Sequence, residues 1–132
     1  MPRFTLKQLL LVVPVLFVVL ILADRWTRTD RSIAYIEGRG GKVRHELFIT
    51  KTYVAVDWDE SGVTDDELYH VVRVGPQGWI HLNGNPEITD RGMQVLSQLP
   101  FTPQELHIKG SSVTEDGIAA FKTFHPTCNV FH

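Results

Sequence analysis

The sequence predicts an α/β chain in which one apolar helix at the amino terminus precedes a short stack of strand, turn and helix units. Three observations carry this prediction. An uncharged run fills residues 9–23, a three-residue motif recurs at a spacing of 25 residues further on, and a short apolar alternation precedes each copy of the motif. At 132 residues the chain has room for one modest domain beyond that run.

The run, LLLVVPVLFVVLILA, is preceded by Arg3 and Lys7 and followed by Asp24, Arg25, Trp26 and Arg28, the order of a signal sequence or signal anchor. Fifteen helical residues reach about 22 Å, short of a hydrocarbon core of about 30 Å, and starting at Phe4 with Lys7 snorkelling supplies the rest. Pro14 is a candidate kink. A buried core helix is disfavoured because no amphipathic stripe exists in a run without polar side chains. Cleavage needs a small-x-small site, and Ala23 has the bulky Ile21 two positions before it, so retention as an uncleaved transmembrane anchor over residues 1–25 is expected. The expected orientation keeps the amino terminus inside and puts the carboxyl-terminal part outside the cytoplasm, with Trp26 at the far interface.

Residues 26–53 read as a juxtamembrane helix followed by a cap strand, and residues 54–132 as about three units. Val63-Thr64-Asp65, Ile88-Thr89-Asp90 and Val113-Thr114-Glu115 recur in register. Three apolar columns move with them: Leu68, Met93 and Ile118; Val71, Leu96 and Phe121; Val74, Leu99 and Phe124. Their offsets of three and six residues give each unit a helix with one inward stripe. Before each motif, Val56-x-Trp58, Ile80-x-Leu82 and Leu106-x-Ile108 alternate as strands with one buried face. Ser61, Asn85 and Ser111 follow as turn residues able to bond the backbone, and the middle turn, Asn83-Gly84-Asn85-Pro86, has one residue more. Thr64, Thr89 and Thr114 suit helix N-caps, and Thr64 with Glu67 makes a capping box.

The pattern L-x-L-x-x-[N/S] followed by [I/V]-T-[D/E]-x-G-[L/I/M] resembles bacterial leucine-rich repeats of the T-D-x-G-L, cysteine-containing-like type. His125-Pro126-Thr127-Cys128-Asn129-Val130 resembles the P-x-C-x-V ending of many such proteins. Ser32 to Glu37 with Gly40-Gly41-Lys42-Val43 resembles the helix-turn-strand cap of their membrane-anchored members. The resemblance covers residues 54–132 and implies a solenoid with a curved parallel sheet, helices on its convex side, a binding role and no catalytic residues. Two departures stand out. Asp66-Glu67 occupies the place of Arg91-Gly92 and Asp116-Gly117, and Val, Trp, Met or Phe replaces leucine at many consensus sites.

Such units cannot bury their own apolar faces, so both ends need covering. A strand within Val43-Arg44-His45-Glu46-Leu47-Phe48-Ile49 is expected to shield the amino-terminal edge of the sheet. At the other end residues 127–132 offer one last strand, and an open edge there would permit self-association.

Residues between the paired strand apolars face away from the helices, which stacks Asp57, His81 and His107 at about 5 Å intervals on adjacent strands. Ala55, Trp79 and Glu105 flank this column on one side and Asp59, Asn83 and Lys109 on the other. Asp57, Trp79, His81, Glu105 and His107 form the candidate binding surface, with Trp79 as the aromatic anchor. Asp57, His81 and His107 are also the candidate ligands for zinc or another divalent metal, with Glu105 or Asp59 in support. The plainer reading is a solvated polar face, and a pH-sensitive surface lies between the two. No cofactor is expected.

Other signals point away from chemistry. Ser61, Ser111 and Ser112 lack a nucleophile elbow. Gly38-Arg39-Gly40-Gly41 reads as a helix C-cap and turn. Asp57-Trp58-Asp59-Glu60 lacks the spacing of a calcium loop. The single Cys128 excludes an internal disulfide framework and reads as a small buried apolar residue. Of the 13 basic residues only Arg3 and Lys7 precede Asp24, while all 15 acidic ones lie from Asp24 onward. That balance leaves no basic stripe for nucleic acid. The expected function is a membrane-anchored protein-interaction module, not an enzyme. A metal-dependent hydrolase built on the Asp-His-His column and a structural envelope component are the alternatives.

Overall fold

The computed structural model of the chain describes residues 6–48 and 51–132. Arg3, Phe4 and Ile49 lie outside the described residues, and with them the start of the expected anchor and the end of the expected cap strand. Helix α1 (Leu6–Gly38) is continuous over 33 residues, about 50 Å at its rise of 1.5 Å per residue. Its stretch Leu10–Gly38 is long and apolar enough to cross a membrane, and none of its most apolar window is buried. A signal sequence has the same composition. The expected boundary at residue 25 leaves no break, because residues 24–37 contain neither glycine nor proline and Asp24 pairs with Arg28 one turn on at 2.9 Å. Pro14 is accommodated inside the helix.

The helix ends where the glycines begin. Gly41 N–H donates to the Ile36 carbonyl at 2.9 Å, and Gly40 takes a φ of 88° that a side chain would resist. The chain then enters a hairpin of β1 (Lys42–Phe48) and β2 (Lys51–Asp57), paired antiparallel with Arg44 opposite Ala55. Three further strands, β3 (Trp79–His81), β4 (Glu105–His107) and β5 (Asn129–Phe131), add in parallel, so the sheet order is β1-β2-β3-β4-β5. Helices α2 (Leu68–Val74), α3 (Asp90–Leu96) and α4 (Glu115–Phe124) return the chain between the parallel strands. A 3-10 turn, Asp65–Glu67, leads into α2, where the capping box of Thr64 and Glu67 forms.

One core runs between sheet and helices. Val56, Ile80 and Leu106 pair in register and are almost fully buried, and Trp58, Leu82 and Ile108, each just past the end of its strand, are buried as well. Leu68, Met93 and Ile118 close the core from the helices together with Val71, Leu96 and Phe121. The third column behaves unevenly: Leu99 is 6% exposed and Phe124 67%. Leu99 has a further unit above it, and Phe124 stands on the last helix.

Successive units are tied by a carboxylate ladder. Asp65 accepts the Thr89 N–H at 2.8 Å and its hydroxyl at 2.6 Å, and Asp90 does the same for Thr114 at the same two distances. The Thr114 hydroxyl and N–H together hold the Asp90 carboxyl below its ordinary value. Glycine at residues 92 and 117 follows from the ladder. A Cβ on Gly92 would collide with the Asp65 carboxylate, and one on Gly117 with that of Asp90. In the turn above β2, fully buried Asn85 accepts the Ser61 and Val63 N–H groups, each at 3.1 Å. Its amide donates to the Trp58 carbonyl at 2.9 Å and the Leu82 carbonyl at 3.0 Å.

Candidate functional site

The face of the sheet turned away from the helices carries the candidate residues. Asp57 pairs with His81, His81 with His107, and His107 with Phe131 across adjacent strands. The rings form a continuous column. His81 and His107 meet edge to face with centroids 4.5 Å apart, and His107 stacks on Phe131 at 4.5 Å with 17° between planes. Nε2 of His107 lies 3.0 Å from Glu105 Oε2. This bond turns the ring towards its own strand neighbour.

Asp57 meets a residue that sequence reasoning did not include. Arg44, carried by β1, reaches the Asp57 carboxylate at 3.4 Å. Arg44, Ala55, Asp57, Trp79 and His81 line a shallow cavity of about 70 Å³. Trp79 is half-buried there, its strand neighbour being Glu105. Phe131 was also missed, although it continues the series 57, 81 and 107. Arg44 left no comparable signal, because the pairing of β1 with β2 depends on a turn whose register the sequence does not specify.

The second flanking column, Asp59, Asn83 and Lys109, is tied together through backbone N–H groups. Asp59 accepts the Asn83 N–H at 2.5 Å, and Asn83 Oδ1 accepts the Lys109 N–H at 2.9 Å. Among the described residues, the group whose ligand atoms lie within 4.8 Å of one another is Asp57, Asp59 and His81, without His107. The three residues offered for a metal from sequence are therefore neighbours in one column, while the compact group substitutes Asp59 for His107. Both of its carboxylates already have partners, Arg44 on Asp57 and Asn83 on Asp59.

The serines hold turns together. Ser61 donates to the Asp59 carbonyl at 2.9 Å, Ser112 to that of Pro86 at 2.7 Å, and Ser111 accepts the Val113 N–H at 3.4 Å. Cys128 is 1% exposed, and burial pushes its thiol up to about 11. At that value the thiolate is scarce near neutral pH.

These features define an α/β chain with a mostly parallel sheet of five strands, an apolar amino-terminal helix, and a polar and aromatic face on the exposed side of the sheet. No family model matches the chain, and no curated protein matches it either.

Proposed function

We propose that this chain is a membrane-anchored protein-interaction module built as a short leucine-rich-repeat solenoid of the bacterial T-D-x-G-L type. The observation that carries the reading is the continuous face of Asp57, Trp79, His81, Glu105, His107 and Phe131 on four parallel strands. Stacked rings with flanking carboxylates offer a partner rigid aromatic area and hydrogen-bonding groups together, the make-up of a binding hot spot. The repeat assignment is supported by the Asp65 and Asp90 ladder, which gives the T-D-x-G signature a physical reason. The anchor assignment is supported by the solvent-facing apolar length of α1. The domain then stands outside the cytoplasm with the amino terminus inside.

The test uses the full chain in its membrane with a photo-crosslinking residue at position 79 or, on the exposed side of α3, at position 94. A discrete heavier adduct from position 79 alone, lost in the His81→Ala, His107→Ala double variant, is the expected result. Equal adducts from both positions, or none from 79, would end the reading. A reporter fused after His132 tests the orientation, and a cytoplasmic signal would reverse it.

A metal-dependent hydrolase is the second reading, favoured by the closeness of Asp57, Asp59 and His81. It requires stoichiometric divalent metal in the purified chain, lost on His81→Ala. Metal-free protein at neutral pH with the crosslinking pattern intact decides for the interaction module.

A further inference from the structure

The stripe by which α1 meets the rest of the chain does not begin at the docked residues. Ser32 and Ile36, both fully buried, seat the helix against α2 and Trp58, and the same stripe runs back one and two turns to Thr29, Arg28 and Arg25. There Thr29 is half-buried, and Arg25 and Arg28 are exposed. A notch of about 190 Å³ opens beside them, lined by Arg25, Arg28 and Thr29 from α1 and by Arg73 from the last turn of α2.

The notch is unusual in its charge and in its preorganisation. Three arginines and no acidic residue line it, and Arg28 is paired with Asp24 at 2.9 Å. The cluster therefore keeps a positive excess that costs free energy until an anion enters. Arg73 is held by a column of rings: its guanidinium lies 4.9 Å from the Tyr69 ring centroid, Tyr69 packs on His70 at 3.9 Å, and His70 stacks on Tyr35 of α1 at 3.9 Å. The two walls of the notch are thus fixed to each other by that column.

Its depth identifies the anion. The apolar run ends at Ala23, and Arg25 is two residues further, about 3 Å along the axis. Trp26 is 74% exposed at the same level, as interfacial tryptophans are. We infer that Arg25, Arg28 and Arg73 form a binding site for the phosphate of an anionic phospholipid headgroup in the leaflet that α1 leaves. Planar guanidinium forks pair with phosphate oxygens two at a time, which a lysine cluster could not do. The bound headgroup would also fix the tilt of the domain on the membrane, since α1 reaches the domain without a linker. This inference rests on the anchor reading.

The experiment uses the full chain in detergent micelles, with retained ligands counted by native mass spectrometry. Phosphatidylglycerol is retained, and diacylglycerol with the same acyl chains is not. Arg25→Gln and Arg73→Gln each lower retention about fivefold. Arg31→Gln, an exposed arginine outside the notch, leaves it unchanged. Equal retention of diacylglycerol, or an equal loss with Arg31→Gln, overturns the site. Inorganic phosphate bound without any lipid retained would reassign it to a soluble anion and overturn the headgroup. Alkaline extraction of native membranes separates the two levels. Release of the chain, or an intact mass starting beyond residue 23, removes the anchor and this site together, whereas a retained chain without lipid preference removes only the site.

Discussion

The two ends of the sheet are finished in opposite ways. At the amino-terminal end, β1 covers the edge of β2, α1 lays Ser32, Tyr35 and Ile36 against α2, and Arg39 just after α1 reaches Glu67. Glu67 binds that corner together. It accepts from Tyr35 at 2.8 Å, Arg39 at 2.9 Å and the Thr64 N–H at 2.9 Å. At the far end β5 is the last strand, Phe124 is 67% and Phe131 47% exposed, and Glu115 bonds His132 at 2.9 Å. Interior positions of the ladder carry Asp and Gly. The ends carry Glu. Glu67 stands where later units need a glycine, because no preceding carboxylate crowds it, and Glu115 stands where an aspartate would have a next threonine to hold.

The comparison breaks most sharply if the covered end is opened. Ile36 is fully buried and, with Trp58, packs against Gly41, so Ile36→Ala should cost about 2–5 kcal/mol. Val130, half-buried at the other end, should lose about 1 kcal/mol or less on truncation to Ala. Denaturant unfolding of the two variants measures the difference. Equal costs would mean that α1 is no more of a cap than β5.

The ladder gives the next effect. Gly92→Ala drives a methyl into the Asp65 carboxylate and to 2.8 Å from Leu68 Cδ1, an overpacking cost of about 1–3 kcal/mol. Asp65→Ala combined with Gly92→Ala removes the main clash, so the double variant should lose less than the two single losses added. A strictly additive thermodynamic cycle would detach the glycine from the ladder.

The covered end also carries a titrating contact. His70 is 8% exposed, its Nδ1 is 3.2 Å from Ser32 Oγ, and its ring is sandwiched between Tyr35 and Tyr69. Burial, with the nearby Arg73 charge, pushes its pKa below the ordinary 6.5, while Glu67 acts weakly in the opposite direction. The folded chain therefore takes up this proton less readily than the unfolded one. Its contribution to stability is complete above the unfolded value and declines as the pH falls through it towards the folded value. The melting temperature of the parent should fall more steeply than that of His70→Gln between about pH 7 and about pH 5. Parallel curves would disconnect His70 from the docking of α1.

Much of this contrast was legible in the sequence, and the illegible part has a physical cause. The strand positions Val56, Ile80 and Leu106, the buried Trp58, Leu82 and Ile108 just past the strand ends, and the helix columns through Val71, Leu96 and Phe121 were visible because burial imposes periods of two and of three to four on residue type. The column of Asp57, His81 and His107 followed from the same alternation. Arg44 and Phe131 did not. One depends on a hairpin register and the other on extending the series past its last complete unit. The anchor over residues 1–25 and the juxtamembrane helix after it form one α1, because the backbone of residues 24–37 has nothing to stop it. Asp66-Glu67 departs from the Gly-containing pattern of the later motifs, and Glu67 holds Tyr35, Arg39 and the Thr64 N–H.

The smallest predicted effect tests the open end. Leu99 and Phe124 occupy the same column, yet Leu99 is covered by the next unit and Phe124 is not. Leu99→Ala should cost about 2 kcal/mol or more, and Phe124→Ala under about 0.5 kcal/mol, as for a surface change that touches no cap or network. A larger cost at Phe124 would have one physical source, another surface lying against α4 and β5 in solution. If that surface is a second copy of the chain, the melting temperature of the parent should rise with protein concentration and that of Phe124→Ala should not. Independence from concentration in both proteins, together with a near-neutral Phe124→Ala, would mean that the last strand tolerates its exposed edge unaided, and that the helix and hairpin at the amino end alone supply the cap.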